Sequence, residues 1–356
     1  MVLSRRRDAG QIEVATFRTD GLYSDGRRPD SVTFCSAEED AKRRDFTING
    51  MFFDPLKDQL IDYVGGEQDL VNRIIRAIGQ ADARIEEDKL RMLRAVRFAA
   101  TLGFQIDPDT EQSVRARHQS LVAVSIERVA AEVQRMLAHP HRARAVELLD
   151  STGLLDVIFP VPHQLVDNRT WYEQWNLPIE LATLNELQVP RFEHALLLLM
   201  LRGELARENA RRILRYESRR LKMSNSVRDC LCWLQSAIPL MNNIAEQPLH
   251  VRKPLLAHKD RELVLDLSRA RDIARGGAPE GYEFCRSYLQ SVPAEILDPP
   301  PLVSGHDLIN AGVPAGPAIR RILETLRREQ LDERLNDRED ALRRLTVLAD
   351  ALPSET

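Results

Sequence analysis

Two polar clusters in the N-terminal third combine arginines with carboxylates at spacings that could handle a nucleotide. The first, Glu38-Glu39-Asp40-Ala41-Lys42-Arg43-Arg44-Asp45, runs straight into the apolar stretch Phe46-Thr47-Ile48 and Asn49. Adjacent arginines beside a buried segment suit phosphate, because a guanidinium fork matches phosphate oxygens bidentately. Taken alone, a solvated helix turn with internal ion pairs accounts for the same residues. The second cluster, Glu86-Glu87-Asp88-Lys89-Leu90-Arg91-Met92-Leu93-Arg94, reads as a helix start whose three acids meet the positive end of the helix dipole. Asp88 and Arg91 are i,i+3 neighbours and Arg94 continues their row, so one face offers an acceptor beside planar donors. Such a pair can read the Watson–Crick edge of a base, with Asp accepting from an exocyclic amine and Arg donating to ring or carbonyl acceptors. A third cluster sets six cations, Arg211, Arg212, Arg215, Arg219, Arg220 and Lys222, against Glu217 alone. A helix face so charged would track RNA phosphates.

The elements that must position these groups follow from hydrophobic pattern. Ile12–Phe17, Val32–Phe34 and Gln59–Val64 read as strands, while Phe46–Phe53 fits either a short buried helix or a strand. From Glu86 the pattern turns helical, with Leu90, Leu93, Val96 and Ala100 on one stripe that stops at Gly103. Apolar stripes recur at Ile126–Leu137, Ala143–Leu149, His194–Leu201, Ala210–Leu214 and Ile319–Leu326, and Pro299-Pro300-Pro301 forms a stiff connector. The expected architecture is α+β, a small mixed α/β head to about Gly79 and then an all-helical body.

Composition bounds the partners. The chain has 356 residues, 43% of them hydrophobic and 29% charged, enough to bury a core and to form more than one domain. A formal charge of -4, from 50 Lys+Arg against 54 Asp+Glu, excludes a globally basic coat protein, so RNA contact must be patchy. No apolar run is long enough to span a bilayer, and Met1-Val2-Leu3-Ser4 followed by three arginines lacks a signal-peptide core. A soluble, cytoplasmic protein without membrane or DNA partners is expected. Cys35, Cys230, Cys232 and Cys285 are too few for a disulfide scaffold and read as buried thiols.

In order, Ile12-Glu13-Val14-Ala15-Thr16-Phe17-Arg18, Arg43-Arg44-Asp45-Phe46-Thr47-Ile48-Asn49, Asp62-Tyr63-Val64-Gly65-Gly66 with Asp69-Leu70, and Glu87-Asp88-Lys89-Leu90-Arg91 resemble the successive motifs of class II tRNA nucleotidyltransferases and bacterial poly(A) polymerases. The resemblance continues through Arg94-Ala95-Val96-Arg97-Phe98, Ser125-Ile126-Glu127-Arg128 with Glu132, and His139-Pro140 with Gly153-Leu154-Leu155. Weaker echoes follow at Arg219–Asn225 and Gly305–Leu308. It implies that Arg43, Arg44 and Asp45 meet the ribose and triphosphate, that Asn49 supports their loop, and that Asp88 and Arg91 select CTP or ATP with Glu87 orienting them. Arg94 adds a nucleotide contact, Arg128 braces the nucleotide-binding helices by ion pairing, and Glu13 is a metal-site carboxylate. The implied domains are a partial catalytic head (1–79), a base-recognising neck (80–157), an RNA-binding body (158–298) and a tail (299–356).

The implied activity is addition of C and A residues to tRNA 3′ ends from CTP and ATP with Mg²⁺, with a poly(A) polymerase as the alternative enzyme. The family's Gly-Gly loop and its Asp-x-Asp strand, whose two carboxylates hold the metals, do not precede Ile12. Asp107-Pro108-Asp109 is a decoy, since its proline suits a helix start. The expectation is therefore an N-terminally truncated head, inactive as the chain stands, or a non-catalytic RNA-binding remnant. His139 and His141 read as capping or packing residues, and the apolar Ala195–Leu201 segment, without a His-Asp pair, argues against a metal-dependent phosphohydrolase.

Overall fold

The computed structural model describes residues 16–20, 32–160, 176–202 and 209–351 of the chain. Of the strand expected at Ile12–Phe17, only Thr16 and Phe17 are described, and they lead into β1 (Arg18–Asp20), which pairs antiparallel with β2 (Val32–Phe34). Ser36 then caps α1 (Ala37–Arg43) through a capping box with Glu39, and α1 delivers Arg43 and Arg44 at its C-terminus. The ambiguous stretch Phe46–Phe53 is both helix and strand: a 3₁₀ turn at Thr47–Asn49, then β3 (Met51–Asp54), antiparallel to β4 (Gln59–Asp62). β4 stops short of Val64 because the Asp62 carboxylate turns back to accept from the N–H groups of Val64, Gly65 and Glu67. After α2 (Gly66–Asn72), β5 (Ile74–Ile75) pairs parallel with β6 (Gln105–Ile106). Among the described residues the head thus holds two antiparallel two-stranded sheets, and its last strand, β5, pairs with β6 beyond Gly79.

Helices take over from α3 (Ala81–Glu87) and α4 (Arg91–Leu102), which Gly103 ends in the left-handed conformation at φ +68°. Asp107 caps α5 (Pro108–Arg117) through the Thr110 N–H, and Pro108 opens it, so the Asp107-Pro108-Asp109 triplet is a helix start. The apolar faces of α6 (Ile126–Leu137), α7 (Arg142–Ser151) and α8 (Leu154–Ile158) close this unit. The next helices are α9 (Leu177–Glu186), α10 (Glu193–Leu201), α11 (Ala210–Arg220), α12 (Asn225–Ala237), α13 (Leu249–Ala257), α14 (Arg261–Ala274), α15 (Glu280–Ser291) and α16 (Ala294–Leu297). Every residue of α10 is buried, its apolar Ala195–Leu201 run and the leading Glu193 and His194 alike.

α17 (Gly305–Asn310), α18 (Pro317–Leu331) and α19 (Arg338–Asp350) complete the chain as described. One apolar core runs from Phe46 to Leu297 and a second from Val303 to Leu345, on either side of the proline triplet. His250 and the nearly buried Lys253 of α13 tie the two together through Asp332 and Glu333. Among the described residues no helix is long and apolar enough to cross a membrane.

Candidate nucleotide site and basic groove

The Arg43–Arg44 turn is built on one buried carboxylate. Asp40, 2% exposed, accepts from Arg43 at 2.6 and 2.9 Å and from Arg44 at 3.0 and 3.1 Å. This is the internal ion pairing that the sequence admitted, and it fixes both guanidinium groups. Arg44 also donates to the Asn49 carbonyl at 2.7 Å and lies 4.6 Å over the Phe52 ring. Asp45 accepts from the Phe46 N–H at 2.9 Å, from Asn49 Nδ2 at 3.0 Å and from Arg94 at 2.6 and 2.7 Å. Asn49 therefore braces the loop, and Arg94 joins it to α4.

The Glu86–Asp88 acids do not start a helix. Glu87 is the last residue of α3, and Asp88 is its extended C-cap, whose carboxylate accepts from the Leu90 N–H at 3.1 Å. That local bond turns the chain before α4 begins at Arg91, so Asp88 does not share a helix row with Arg91 and Arg94. Asp88 instead pairs with Arg128 of α6 at 2.7 Å, while Arg91 pairs with Glu87 at 2.8 Å. Arg128 thus does brace the assembly by ion pairing, through Asp88 rather than its neighbour Glu127.

Arg44, Asp45, Asn49, Asp88, Arg91, Arg94 and Phe98 line one open pocket of about 400 Å³. Arg43 and Glu87 stand behind this wall rather than in it. Phe98 is the addition: its ring packs edge-on to Phe46 at 5.9 Å and carries Arg94 at 5.2 Å and Arg97 at 4.1 Å. The sequence named it only within the Arg94–Phe98 run, with no role of its own. Three arginines facing two carboxylates and an amide can hold a polyanion while hydrogen-bonding a polar ring.

Two further carboxylates set the floor of the loop. Burial pushes the Asp62 carboxyl up, but backbone N–H bonds, those of Glu67 and Val64 foremost, more than offset it and hold it below the usual range. Buried Asp69 accepts from Thr47 Oγ1 at 2.7 Å and from Arg76 at 3.0 Å, and Arg76 also pairs with Asp107, the α5 cap. Gly66 sits against this loop so closely that a Cβ would fall 2.3 Å from the Thr47 carbonyl oxygen.

The basic cluster divides. Arg211, Arg212, Arg215 and Arg219 are exposed on α11 without an ion-pair partner among the described residues. Arg220 turns inward: it pairs with buried Glu217 at 2.5 Å and donates to the Ile158 carbonyl, so it braces α11 against α8. Lys222 pairs with Glu127 at 2.5 Å. Across from Arg211, Arg215 and Arg219, Arg228, Asp229 and Trp233 of α12 complete a groove of about 520 Å³. The Trp233 indole stacks flat on His258, centroids 3.7 Å apart. Arg228 and Trp233 were not legible as a site, since only helix pairing brings them to the arginine row.

Among the described residues no group of three or more His, Cys, Asp or Glu could hold a metal ion, and Glu13 lies outside them. A His-Asp pair does exist in the body, between His194 of α10 and Asp266 of α14 at 3.4 Å. It is structural, for Asp266 also accepts from the N–H groups of Gln188 and Val189 and from Arg269. Cys230, Cys232 and Cys285 are buried free thiols, and burial pushes Cys230 up to about 12, whereas Cys35, just before α1, is a free thiol only partly buried, against the expectation for all four. His139 and His141 pack edge-on beside α7, with His141 Nδ1 3.1 Å from the Ala100 carbonyl oxygen.

Three family models match in series: "Poly A polymerase head domain" over residues 2–76, "Probable RNA and SrmB- binding site of polymerase A" over 103–165, and "tRNA nucleotidyltransferase domain 2" over 187–345. The chain is 31% identical to the CCA-adding enzyme of Lactobacillus johnsonii over 332 residues, covering 93% of this chain and 77% of that enzyme. It is 50% identical to the CCA-adding enzyme of Geobacillus thermodenitrificans over 143 residues, a stretch that covers 40% of this chain and spans only 35% of that relative's length. The fold is similar to the crystal structure of the Bacillus stearothermophilus CCA-adding enzyme in complex with CTP, with TM-score 0.73, 29% identity, and coverage of 96% of this chain and 79% of that one.

Proposed function

The chain belongs to the family of CCA-adding enzymes, and on that premise we propose that it adds C and A residues to tRNA 3′ ends from CTP and ATP. On this reading residues 1–79 belong to the catalytic head, 80–157 to a neck that recognises the base, 158–298 to an RNA-binding body and 299–356 to a tail. The observation that carries it is the meeting of Arg44, Asp45, Asn49, Asp88, Arg91 and Arg94 around one pocket, although they come from two stretches about 40 residues apart.

In the reaction the tRNA 3′-hydroxyl attacks the α-phosphorus in line, the bond to the β-phosphate oxygen breaks, and pyrophosphate leaves. Arg44, backed by Arg43 and Asp40, holds the phosphates. Asp88 accepts from the exocyclic amine that C and A share and U lacks, while Arg91 donates to the ring acceptors. Arg94, held by Asp45, links the two ends. The family implies Mg²⁺, but among the described residues no group of three or more His, Cys, Asp or Glu could hold it. RNA backbone would lie along Arg211, Arg215 and Arg219, with Arg228 and Trp233 opposite.

Asp88→Ala should weaken CTP binding at least tenfold while leaving UTP binding within about twofold, read by equilibrium titration with both nucleotides. An unchanged CTP-to-UTP ratio removes the base-reading role. The head-domain match favours one second reading, a poly(A) polymerase. Product length on a tRNA lacking its terminus separates them: three added nucleotides support the first, and a long A tract the second.

A further inference from the structure

Arg84 stands where the two halves of the pocket meet, yet it does not line the pocket. Helix α1 ends at Arg43, and the last carbonyls of any helix lack intrahelical donors. Arg84 supplies them: its Nη2 donates to the Arg43 carbonyl and, at 2.8 Å, to the Arg44 carbonyl, while its Nη1 donates to the Glu87 carboxylate. Arg91 closes the circuit. It donates to the same Glu87 oxygen at 2.8 Å, to the Arg84 carbonyl at 2.7 Å and to the Arg43 carbonyl at 3.3 Å. Both guanidinium groups are largely buried, with side chains 13% and 11% exposed.

We propose that Arg84 is a positioning residue for nucleotide selection: one planar fork fixes the phosphate-binding turn Arg43–Arg44 at a set distance from the base-reading face of Asp88 and Arg91. The inference rests on the function proposed above. A base that meets Asp88 and Arg91 then has its phosphates at Arg44 without reorganisation, which is how preorganisation converts contacts into discrimination. Lysine cannot replace it, because a single ammonium cannot reach two carbonyls and a carboxylate in fork geometry.

The test is equilibrium binding of CTP, UTP and inorganic tripolyphosphate to the full chain and to Arg84→Lys, with thermal unfolding as the check on folding. The expected result is tripolyphosphate affinity within about twofold of wild type and a CTP-to-UTP ratio reduced about tenfold, equivalent to about 1.4 kcal/mol. An equal loss for all three ligands, or an unchanged ratio, overturns the proposal. If Arg84→Lys does not fold, Glu87→Gln carries the test. It breaks the shared carboxylate while keeping its shape, and a preserved ratio there overturns the proposal too. A wild-type chain that binds CTP and UTP alike overturns the proposed function itself, and this inference with it.

Discussion

His194 shows how far a single buried group can set the behaviour of its surroundings. Its ring is wholly buried beside Asp266, and burial is the main reason its pKa lies below the usual 6.5. Burial pushes Asp266 up, but His194 beside it, the Val189 N–H and Arg269 more than offset that and bring it down to about 2. The two signs of linkage follow. The unfolded chain takes up a proton on this histidine near pH 6.5 that the folded chain resists, so stability is full above 6.5 and falls as pH drops below it. Asp266 contributes stability above its usual 3.8, lost as pH falls from there toward 2. Thermal midpoints measured from pH 7.5 to 5 should therefore fall for wild type and fall less steeply for His194→Gln. Parallel curves for the two proteins would refute the assignment to His194.

Among the elements, α2 holds the Thr47–Asn49 turn in place. Gly65 is left-handed at φ +79°, and Gly66 opens α2 in contact with the Thr47–Asn49 turn. Gly66→Ala would set a methyl 2.3 Å from the Thr47 carbonyl oxygen and 2.8 Å from Met51 Cγ, and backbone cannot yield there as a flexible side chain could. Overpacking of this kind costs about 1–3 kcal/mol. Thermal unfolding should register that loss, and nucleotide affinity should fall with it, because Asp69 and Asn49 hang on the same turn. Wild-type stability in Gly66→Ala would mean that the turn moves freely away from α2. Much of this element layer was legible: the Gly103 stop, the Asp107-Pro108 start and the bounds of Ile126–Leu137 all follow from caps and apolar period. The break at Asp88 was not, since acids followed by an apolar stripe look like a first turn, and only the Asp88 bonds to Leu90 N–H and Arg128 show the chain leaving one helix and entering another. The two-residue strands β5 and β6 left no period to read at all.

Across the whole molecule, the net charge of -4 sets the terms on which a polyanion can be bound. Attraction must be local, and most arginines are unsuited to it because they are already committed, Arg220 to Glu217, Arg142 to the backbone of Val189 and Arg191, and Arg269 to Asp266. The row Arg211, Arg215 and Arg219 differs. Residues four apart on a helix rise by about 6 Å per step, so three guanidinium groups recur along one line in reach of successive phosphates. The sequence showed this charge but counted Arg220 and Lys222 with it, because periodicity alone does not reveal which cations buried or distant acids have taken. The exposed row, facing Arg228 and the Trp233 indole, should therefore supply the salt-dependent part of RNA affinity. Removing one phosphate-binding cation reduces the slope of log K against log salt by about 0.7–0.9. Replacing Arg211, Arg215 and Arg219 together by Ala should flatten that slope by about two to three in titrations with tRNA, whereas Arg220→Ala should lower thermal stability and leave the slope unchanged. A slope unaltered by the triple replacement would mean that RNA runs over another face.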